Sequence, residues 1–347
     1  MKEINTADIE KFHNKLQEAD KITIVSHMKP DGDAAGSTLA MYHFLKEYSN
    51  TEPKIVLNDP LQHVLEFLVD SQTKQDIIVY SDDPLAAEEA ISDSSMVIGL
   101  DFNAFHRTDR LCCHLEESKA YKVLIDHHLN PDLSQFEIVF SETKISSASE
   151  LLYHILMEMP EIQNDASRLP SGTTAALMTG MTTDTNNFAN SVYPSTLMMA
   201  SSLLEAGVDR DYILSQLYNQ HSENRLRLMG HMMKDLLVIT EDGAAYIILD
   251  QQTQCKYKIQ DGDTEGFVNM PLSIANVRLS MLLKEDGEKI RVSIRSKKGT
   301  SANRCAQKYF NGGGHENAAG GRLNMPVAEV EEYIKKYVHI YLTEDEA

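Results

Sequence analysis

The chain reads as an α/β protein with an N-terminal parallel-sheet domain bearing helices on both faces, a helical linker, and a smaller α+β C-terminal domain. Three observations predict this. Over the first 140 residues, short β-rich runs alternate with helical patterns, which is how a parallel sheet sandwiched by helices is written in sequence. From residue 148 to about 237 the pattern is almost wholly helical, and a new α+β pattern follows. At 347 residues the chain also exceeds what one hydrophobic core usually serves, so two domains are expected.

The expected strands are residues 21–26, 54–58, 76–80, 95–100, 122–125 and 137–140, each bounded by polar or turn residues. Between them, residues 34–48, 62–69 and 84–91 carry apolar positions at helical spacing. Further helices are expected at 195–206, 210–220 and 224–237, with Gly207 ending the first of the three. Residues 245–249 then read as a strand, and 278–283 with 289–295 as a hairpin-like pair joined at Glu285-Asp286-Gly287. The boundary is placed in the helix near 224–238, giving domains 1–223 and 239–347 with 224–238 as a linker helix. No internal repeat is visible.

Composition narrows the class. Hydrophobic residues make up 42% of the chain, yet no apolar run approaches the roughly 18 residues needed to span a bilayer, so a soluble protein without a membrane partner is expected. Residues 1–12 mix Lys, Glu, Asn and Asp without an apolar stretch, which argues against a secretory signal peptide. Cys112, Cys113, Cys255 and Cys305 form no C-x-x-C pair and fit reduced thiols in a cytoplasm. The formal net charge of −20 disfavours duplex DNA and other extended polyanions, so any nucleotide substrate should be short. Positive charge at a site must then come from bound cations and a few placed Arg and Lys residues.

Ligands of an open parallel sheet bind beyond the carboxyl ends of its strands, and the acidic residues collect there. His27, Asp31 and Asp33 follow the first expected strand, Asp101 ends the fourth, and Asp126, His127 and His128 end the fifth. No strand is followed by a Gly-rich phosphate loop, so the pattern reads as a metal site and not a dinucleotide site. Asp31-Gly32-Asp33 puts two carboxylates on a tight turn where Gly32 is free to take a positive φ, and such a pair can reach two ions. Carboxylates beside imidazoles suit Mn²⁺ or another borderline cation better than Ca²⁺ or structural zinc. Two ions about 3.5–4 Å apart, bridged by one carboxylate, would activate a water and stabilise charge on a phosphoryl group.

In order and context, His27-x-x-x-Asp31-x-Asp33, Asp101, Asp126-His127-His128 and Asp184 resemble the motifs of the DHH phosphoesterase superfamily. Gly312-Gly313-Gly314-His315 followed by Ala318-Ala319-Gly320 resembles the signature of its DHH-associated C-terminal domain, so the likeness covers nearly the whole chain. By that resemblance, His27, Asp31 and Asp101 hold one ion, while Asp33, Asp101, His127 and Asp184 hold the other. The cofactor implied is two Mn²⁺ ions, with Mg²⁺ or Co²⁺ as substitutes. Asp126 would orient its neighbours and His128 would face the substrate phosphate or leaving oxygen.

Within the superfamily, the modest length resembles the nanoRNase and pAp-phosphatase branch. That branch degrades very short RNAs and dephosphorylates 3′-phosphoadenosine 5′-phosphate (pAp), here with substrate held in a cleft between the domains. Arg295, which closes a strand, would hold a terminal phosphate, with Arg278 and Arg304 as helpers, and Gly312, Gly313, Gly314 and His315 would contact substrate. Three successive glycines also imply a use for bare backbone. One departure stands out: the chain reads Thr183-Asp184-Thr185-Asn186-Asn187-Phe188 where many members have Gly after the second Thr, so the loop beside the substrate is expected to differ.

Plainer roles are expected elsewhere. Ser146, Ser147 and Ser149 are read as capping the helix at 148 in preference to holding phosphate. His63, His106, His114, His154, His221 and His231 are read as surface or partly buried structural residues that lack acidic partners at ligand spacing, and the helical methionines as core filler. The alternative functions are a linear or cyclic dinucleotide phosphodiesterase, a non-catalytic nucleotide-binding relative, or a processive single-strand nuclease. The complete ligand set argues against the second and the charge against the third. A homodimer is compatible with the sequence.

Overall fold

The computed structural model describes residues 5–260 and 262–344. It divides into two compact units, with the break between Gln220 and His221.

The N-terminal unit runs α1 (Thr6–Glu18), β1 (Ile22–Ser26), α2 (Gly32–Tyr48), β2 (Lys54–Leu57), α3 (Thr73–Asp76), β3 (Ile77–Val79), α4 (Pro84–Ser92), β4 (Met96–Leu100), α5 (Cys112–Glu117), β5 (Tyr121–Asp126) and β6 (Ile138–Ser141). Helices α6 (Ala148–Met157), α7 (Ser171–Asp184), α8 (Pro194–Glu205) and α9 (Arg210–Tyr218) complete it. The six strands form one sheet in the order β3-β2-β1-β4-β5-β6, and every pair is parallel. The chain builds outward from β1 to β3, then returns through β4 on the other side. The order therefore reverses between β1 and β4, which opens a crevice at their carboxyl ends. Both faces are buried, as a parallel sheet requires. Ile22 and Ile24 of β1 join the core under α1, α2 and α7, while Val25 points into the second cluster with Ile91, Leu111 and Leu115.

Helices α2 and α7 cross unusually closely. A Cβ on Gly36 would lie 2.7 Å from Ala176 O and 2.8 Å from Gly180 Cα, and one on Gly32 would lie 2.3 Å from Thr183 Oγ1. Gly32 is not among the residues of positive φ. The positive φ open to Gly32 is not used by the Asp-Gly-Asp turn, and the missing Cβ instead makes room for α7. The pairing of Gly32 with Thr183 and Gly36 with Gly180 runs the helices antiparallel, and it brings the start of α2 to the end of α7.

The C-terminal unit contains α10 (Glu223–His231), β7 (Leu237–Ile239), β8 (Ala244–Leu249), α11 (Gln251–Lys256), β9 (Leu279–Asp286), β10 (Lys289–Ser296), α12 (Ala302–Tyr309), β11 (Gly313–His315), β12 (Ala318–Leu323) and α13 (Val327–Glu344). Its strands form a sheet ordered β11-β12-β10-β9-β8-β7, antiparallel except where β8 meets β9. Residues 224–238, expected as a linker helix, open this unit instead. Leu228 and Met232 are buried among Ile247, Phe267 and Leu282, the helix passes into a π turn at Met232–Leu236, and β7 joins the sheet. Among the described residues no helix is long and apolar enough to cross a membrane.

Candidate metal centre

Every sequence-expected ligand lies on the N-terminal unit at the β1/β4 crevice or beside it. His27 follows β1, and its Nδ1 lies 2.8 Å from Met28 O. A carbonyl only accepts, so Nδ1 carries a proton that it donates to Met28, and Nε2 is the nitrogen turned toward the carboxylates and the one a metal would take. That Nε2 faces Asp31 Oδ2 at 3.8 Å and Asp101 Oδ2 at 3.5 Å. Asp31 is also the N-cap of α2, its Oδ1 accepting from the backbone of Asp33 and Ala34 at 3.0 and 3.1 Å.

On the other side, His127 Nε2 lies 3.4 Å from Asp101 Oδ1, 3.7 Å from Asp184 Oδ2 and 3.9 Å from Asp33 Oδ2. Asp101 takes φ +62° just after β4, an unfavourable backbone for a non-glycine residue, and is 2% exposed. Its two oxygens thus face different imidazoles.

Asp33 is gripped from beneath. Its carboxylate accepts from Ala148 N at 2.6 Å and Ser149 N at 2.9 Å, the first backbone donors of α6, while Ser147 caps that helix through Glu150 N. The positive end of a helix therefore holds the Asp33 carboxylate. Gly180 is bare because a Cβ there would come within 2.0 Å of Ser149 Oγ and 2.9 Å of Asp33 Oδ1. The sequence marked Ser146, Ser147 and Ser149 only as a capped helix start and missed what that helix start holds.

Asp126 is fully buried and accepts twice from His128, from its Nδ1 at 2.7 Å and its backbone N at 3.1 Å. It fixes the ring with Nδ1 protonated. Although Nδ1 also stands 3.6 Å from Asp101 Oδ1, that nitrogen is committed to Asp126.

Charge crowding shows in the protonation of the cluster. Burial would lower the His27 imidazole, but the Asp101 and Asp31 carboxylates outweigh it and hold it up to about 10. For His127 burial is likewise overcome, by Asp101 first and then Asp184 and Asp33, and it too rises to about 10. Burial pushes Asp101 upward, yet His127 and His27 hold it well below the usual carboxylate range. Burial and the neighbouring Asp101 and Asp184 push Asp33 up, and Asp184 rises to about 7 through its partial burial and the charges of Asp101 and Asp31. Protons on the imidazoles and acids here do what a cation would do.

These residues fit divalent metal. His27, Asp31 and Asp101 offer ligand atoms within 4.8 Å of one another, and so do Asp33, His127 and Asp184. Two donors on one ion stand about 3.0–3.5 Å apart, close to the separations measured here. Asp101 Oδ1 is buried with no hydrogen-bond partner, which is costly unless something positive meets it. Among the described residues, the other group of three adds only His128 to Asp101 and His127. His114, His154 and His231 do have one acidic neighbour each, Glu88 at 3.4 Å, Glu150 at 3.7 Å and Asp235 at 2.7 Å, contrary to expectation, but a single carboxylate makes no metal site.

The remaining expected site residues lie on the C-terminal unit. Arg295 of β10 and His315 of β11 both register opposite Ala318 of β12, so the three share one face of the sheet. Burial lowers the Arg295 guanidinium, which donates to Ile294 O at 2.9 Å and has no carboxylate partner among the described residues. The glycines beside it have a packing reason. A Cβ on Gly312 would lie 1.8 Å from Gly320 O, and Gly314, at φ +152°, would meet Ala318 O at 2.6 Å.

Comparison with known proteins agrees with this layout. The family model described as DHH family, N-terminal domain, matches residues 21–181, and the DHHA1 domain model matches residues 242–341. The crystal structure of an exopolyphosphatase-related protein from Bacteroides fragilis superposes with a TM-score of 0.93 at 36% identity, covering 100% of both chains. The bifunctional oligoribonuclease and PAP phosphatase NrnA of Bacillus subtilis is 27% identical over 312 residues, 88% of this chain and 90% of that one. The cyclic-di-AMP phosphodiesterase GdpP of Geobacillus thermodenitrificans is 24% identical over 336 residues, 94% of this chain but only 48% of that longer protein.

Proposed function

The chain belongs to the DHH family, with a DHHA1 domain after the DHH domain, and is therefore a phosphoesterase; from that premise we propose that it hydrolyses short 5′-phosphorylated oligoribonucleotides to mononucleotides and pAp to AMP, using two divalent metal ions. The observation that carries the two-metal reading is Asp101. One buried carboxylate turns Oδ2 toward His27 and Oδ1 toward His127, each with its own set of acids. Asp101 would bridge, His27 and Asp31 would complete one set, and Asp33, His127 and Asp184 would complete the other. When bound, the ions would supply Lewis-acid charge at the phosphoryl group and lower the pKa of an attacking water.

The protein's own groups do the rest. The α6 N-terminus keeps Asp33 in place, and Asp126 holds the His128 ring so that its Nε2 can meet the leaving oxygen. Arg295, a partly buried cation without a carboxylate partner among the described residues, is assigned the terminal phosphate, with His315 and the backbone of Gly312, Gly313 and Gly314 as neighbours on that side of the substrate. Mn²⁺ is the expected ion, because carboxylate and imidazole donors dominate. The RNA and pAp substrates rest on the likeness to NrnA along almost the full length of both chains. The likeness to GdpP supports a second reading, hydrolysis of a cyclic dinucleotide at the same centre.

One assay tests all of this. The dialysed protein is given pAp, cyclic di-AMP and 5′-phosphorylated RNAs of two to about ten nucleotides, with EDTA and then with Mn²⁺, Mg²⁺ or Co²⁺. Activity on pAp and the shortest RNAs, lost in EDTA and restored best by Mn²⁺, is expected. Full turnover in excess EDTA would overturn the metal mechanism, and turnover confined to the cyclic dinucleotide would select the second reading.

A further inference from the structure

Directly after Asp184 the chain does something expensive. Asn186, Asn187 and Phe188 take φ +47°, +55° and +66° in succession. Asparagine tolerates this region, but Phe188 pays for it in backbone strain. The segment is held by Asn187 N on Thr182 O at 2.8 Å and Phe188 N on Thr185 Oγ1 at 3.0 Å, within one turn of the metal-binding Asp184.

The strained segment secures Arg210, the first residue of α9. Its guanidinium lies over the Phe188 ring, 5.4 Å from the centroid, and its Nη2 donates to Asn187 Oδ1 at 2.5 Å. A guanidinium has five N–H donors along its edge, and stacking uses only its face, so most donors remain for an acceptor. Among the described residues no carboxylate pairs with Arg210, in a chain with 52 acidic residues against 32 Lys and Arg. The expected ligands are largely carboxylates, which would repel a substrate phosphate not met by the ions, so a pre-oriented cation held by the turn that follows Asp184 has an obvious complement.

Which phosphate follows from position. Among the described residues Arg210 forms no ion pair with Asp184 or any other expected ligand, and it is tied to the centre through Asn187 and Phe188, which follow Asp184 in the chain. The terminal phosphate is assigned to Arg295. Resting on the functional reading above, we propose that Arg210 binds the next phosphate on the strand that keeps the cleaved phosphoryl group, the linkage 3′ to the one cleaved. Arg210 thereby favours substrates of at least three nucleotides over a dinucleotide.

Steady-state kinetics of the full chain on 5′-phosphorylated di- and triadenylate test this, for wild type, Arg210→Gln and Arg210→Lys, with Mn²⁺ binding measured by calorimetry. Arg210→Gln should lower kcat/KM on the trinucleotide roughly 10- to 100-fold, the range of a lost charge-assisted hydrogen bond. The dinucleotide should change less than about two-fold, Mn²⁺ affinity should not move, and Arg210→Lys should fall between. Equal losses on both substrates, or weaker Mn²⁺ binding, would show that Arg210 merely props the Asp184 loop, and no loss on either would remove it from the substrate path. If the wild type cleaved neither RNA, the functional reading itself would fall, before any variant was compared.

Discussion

Asp101 concentrates the chemistry at the scale of single residues. With one oxygen toward each imidazole, it is the group whose loss should empty both metal positions together. Asp101→Ala is expected to remain folded by circular dichroism, yet to retain neither ion after dialysis when metal content is measured. Two tightly held ions in that variant would mean another residue bridges. The ligands at strand ends were legible because the strands themselves were, and a carboxylate or imidazole one to seven residues past a buried β run has few places to go. Asp184 lies at the end of a helix, so only the family resemblance pointed to it. The grip on Asp33 was not legible at all, since its donors lie 115 and 116 residues away in sequence. Gly32 was noticed for the wrong reason, because conformational freedom can be read from a tripeptide whereas a close helix crossing cannot.

Among the elements, the α2–α7 crossing sets the geometry of the centre, since it joins the helix carrying Asp33 to the helix ending at Asp184. Gly36→Ala would push a methyl group into the α7 backbone at Ala176 and Gly180, where no side chain can rotate away. A loss of about 2 kcal/mol or more in urea unfolding is expected, and stability within a few tenths of wild type would contradict the crossing. Helix α6 depends on Glu150, a buried carboxylate that accepts from Ser146 N at 3.0 Å, from Ser146 Oγ, and from Thr196 Oγ1 at 2.7 Å. Burial alone would raise Glu150, but His154, Ser146, Ser195 and Thr196 bring it down to about 2 from 4.5. A group depressed in the folded state stabilises fully above its unfolded pKa, and that stability drains away as pH falls from about 4.5 through about 2. The contribution at neutral pH is at most about 3 kcal/mol. Glu150→Gln should therefore be less stable at pH 7 and lose less on acidification; an acid-unfolding curve parallel to wild type would refute this. Element types were legible wherever the apolar period was sustained, as in α2 and β1. Residues 62–69 looked helical but form a short 3₁₀ turn, His63–Leu68. Residues 224–238 looked like a linker because nothing local announces that Leu228 and Met232 have core partners some 15 to 55 residues ahead.

For the molecule as a whole, the charge of −20 sets a limit on substrate size. It leaves no extended basic track for a long strand, so turnover per enzyme should fall steeply once RNA exceeds a few nucleotides. Equal efficiency on twenty-residue RNA would favour a processive nuclease. The two-unit organisation makes the stronger demand. The N-terminal unit holds its own cores on both faces of its sheet and all the expected metal ligands, Asp101 included. The C-terminal unit has separate cores and carries Arg295 and His315. Metal binding and substrate recognition should therefore come apart. In the full chain, Arg295→Ala and His315→Ala should leave Mn²⁺ content unchanged while weakening turnover. The Arg295 change should hurt 5′-phosphorylated dinucleotides more than 5′-hydroxyl ones, because only the former lose a charge-assisted partner. A chain ending at Gln220 should still bind its ions, since no ligand is removed, yet should cleave 5′-phosphorylated dinucleotides far less efficiently than the full chain. If it cleaved them equally well, the C-terminal unit would have no part in holding the substrate, and the role assigned to Arg295 would have to be abandoned with it.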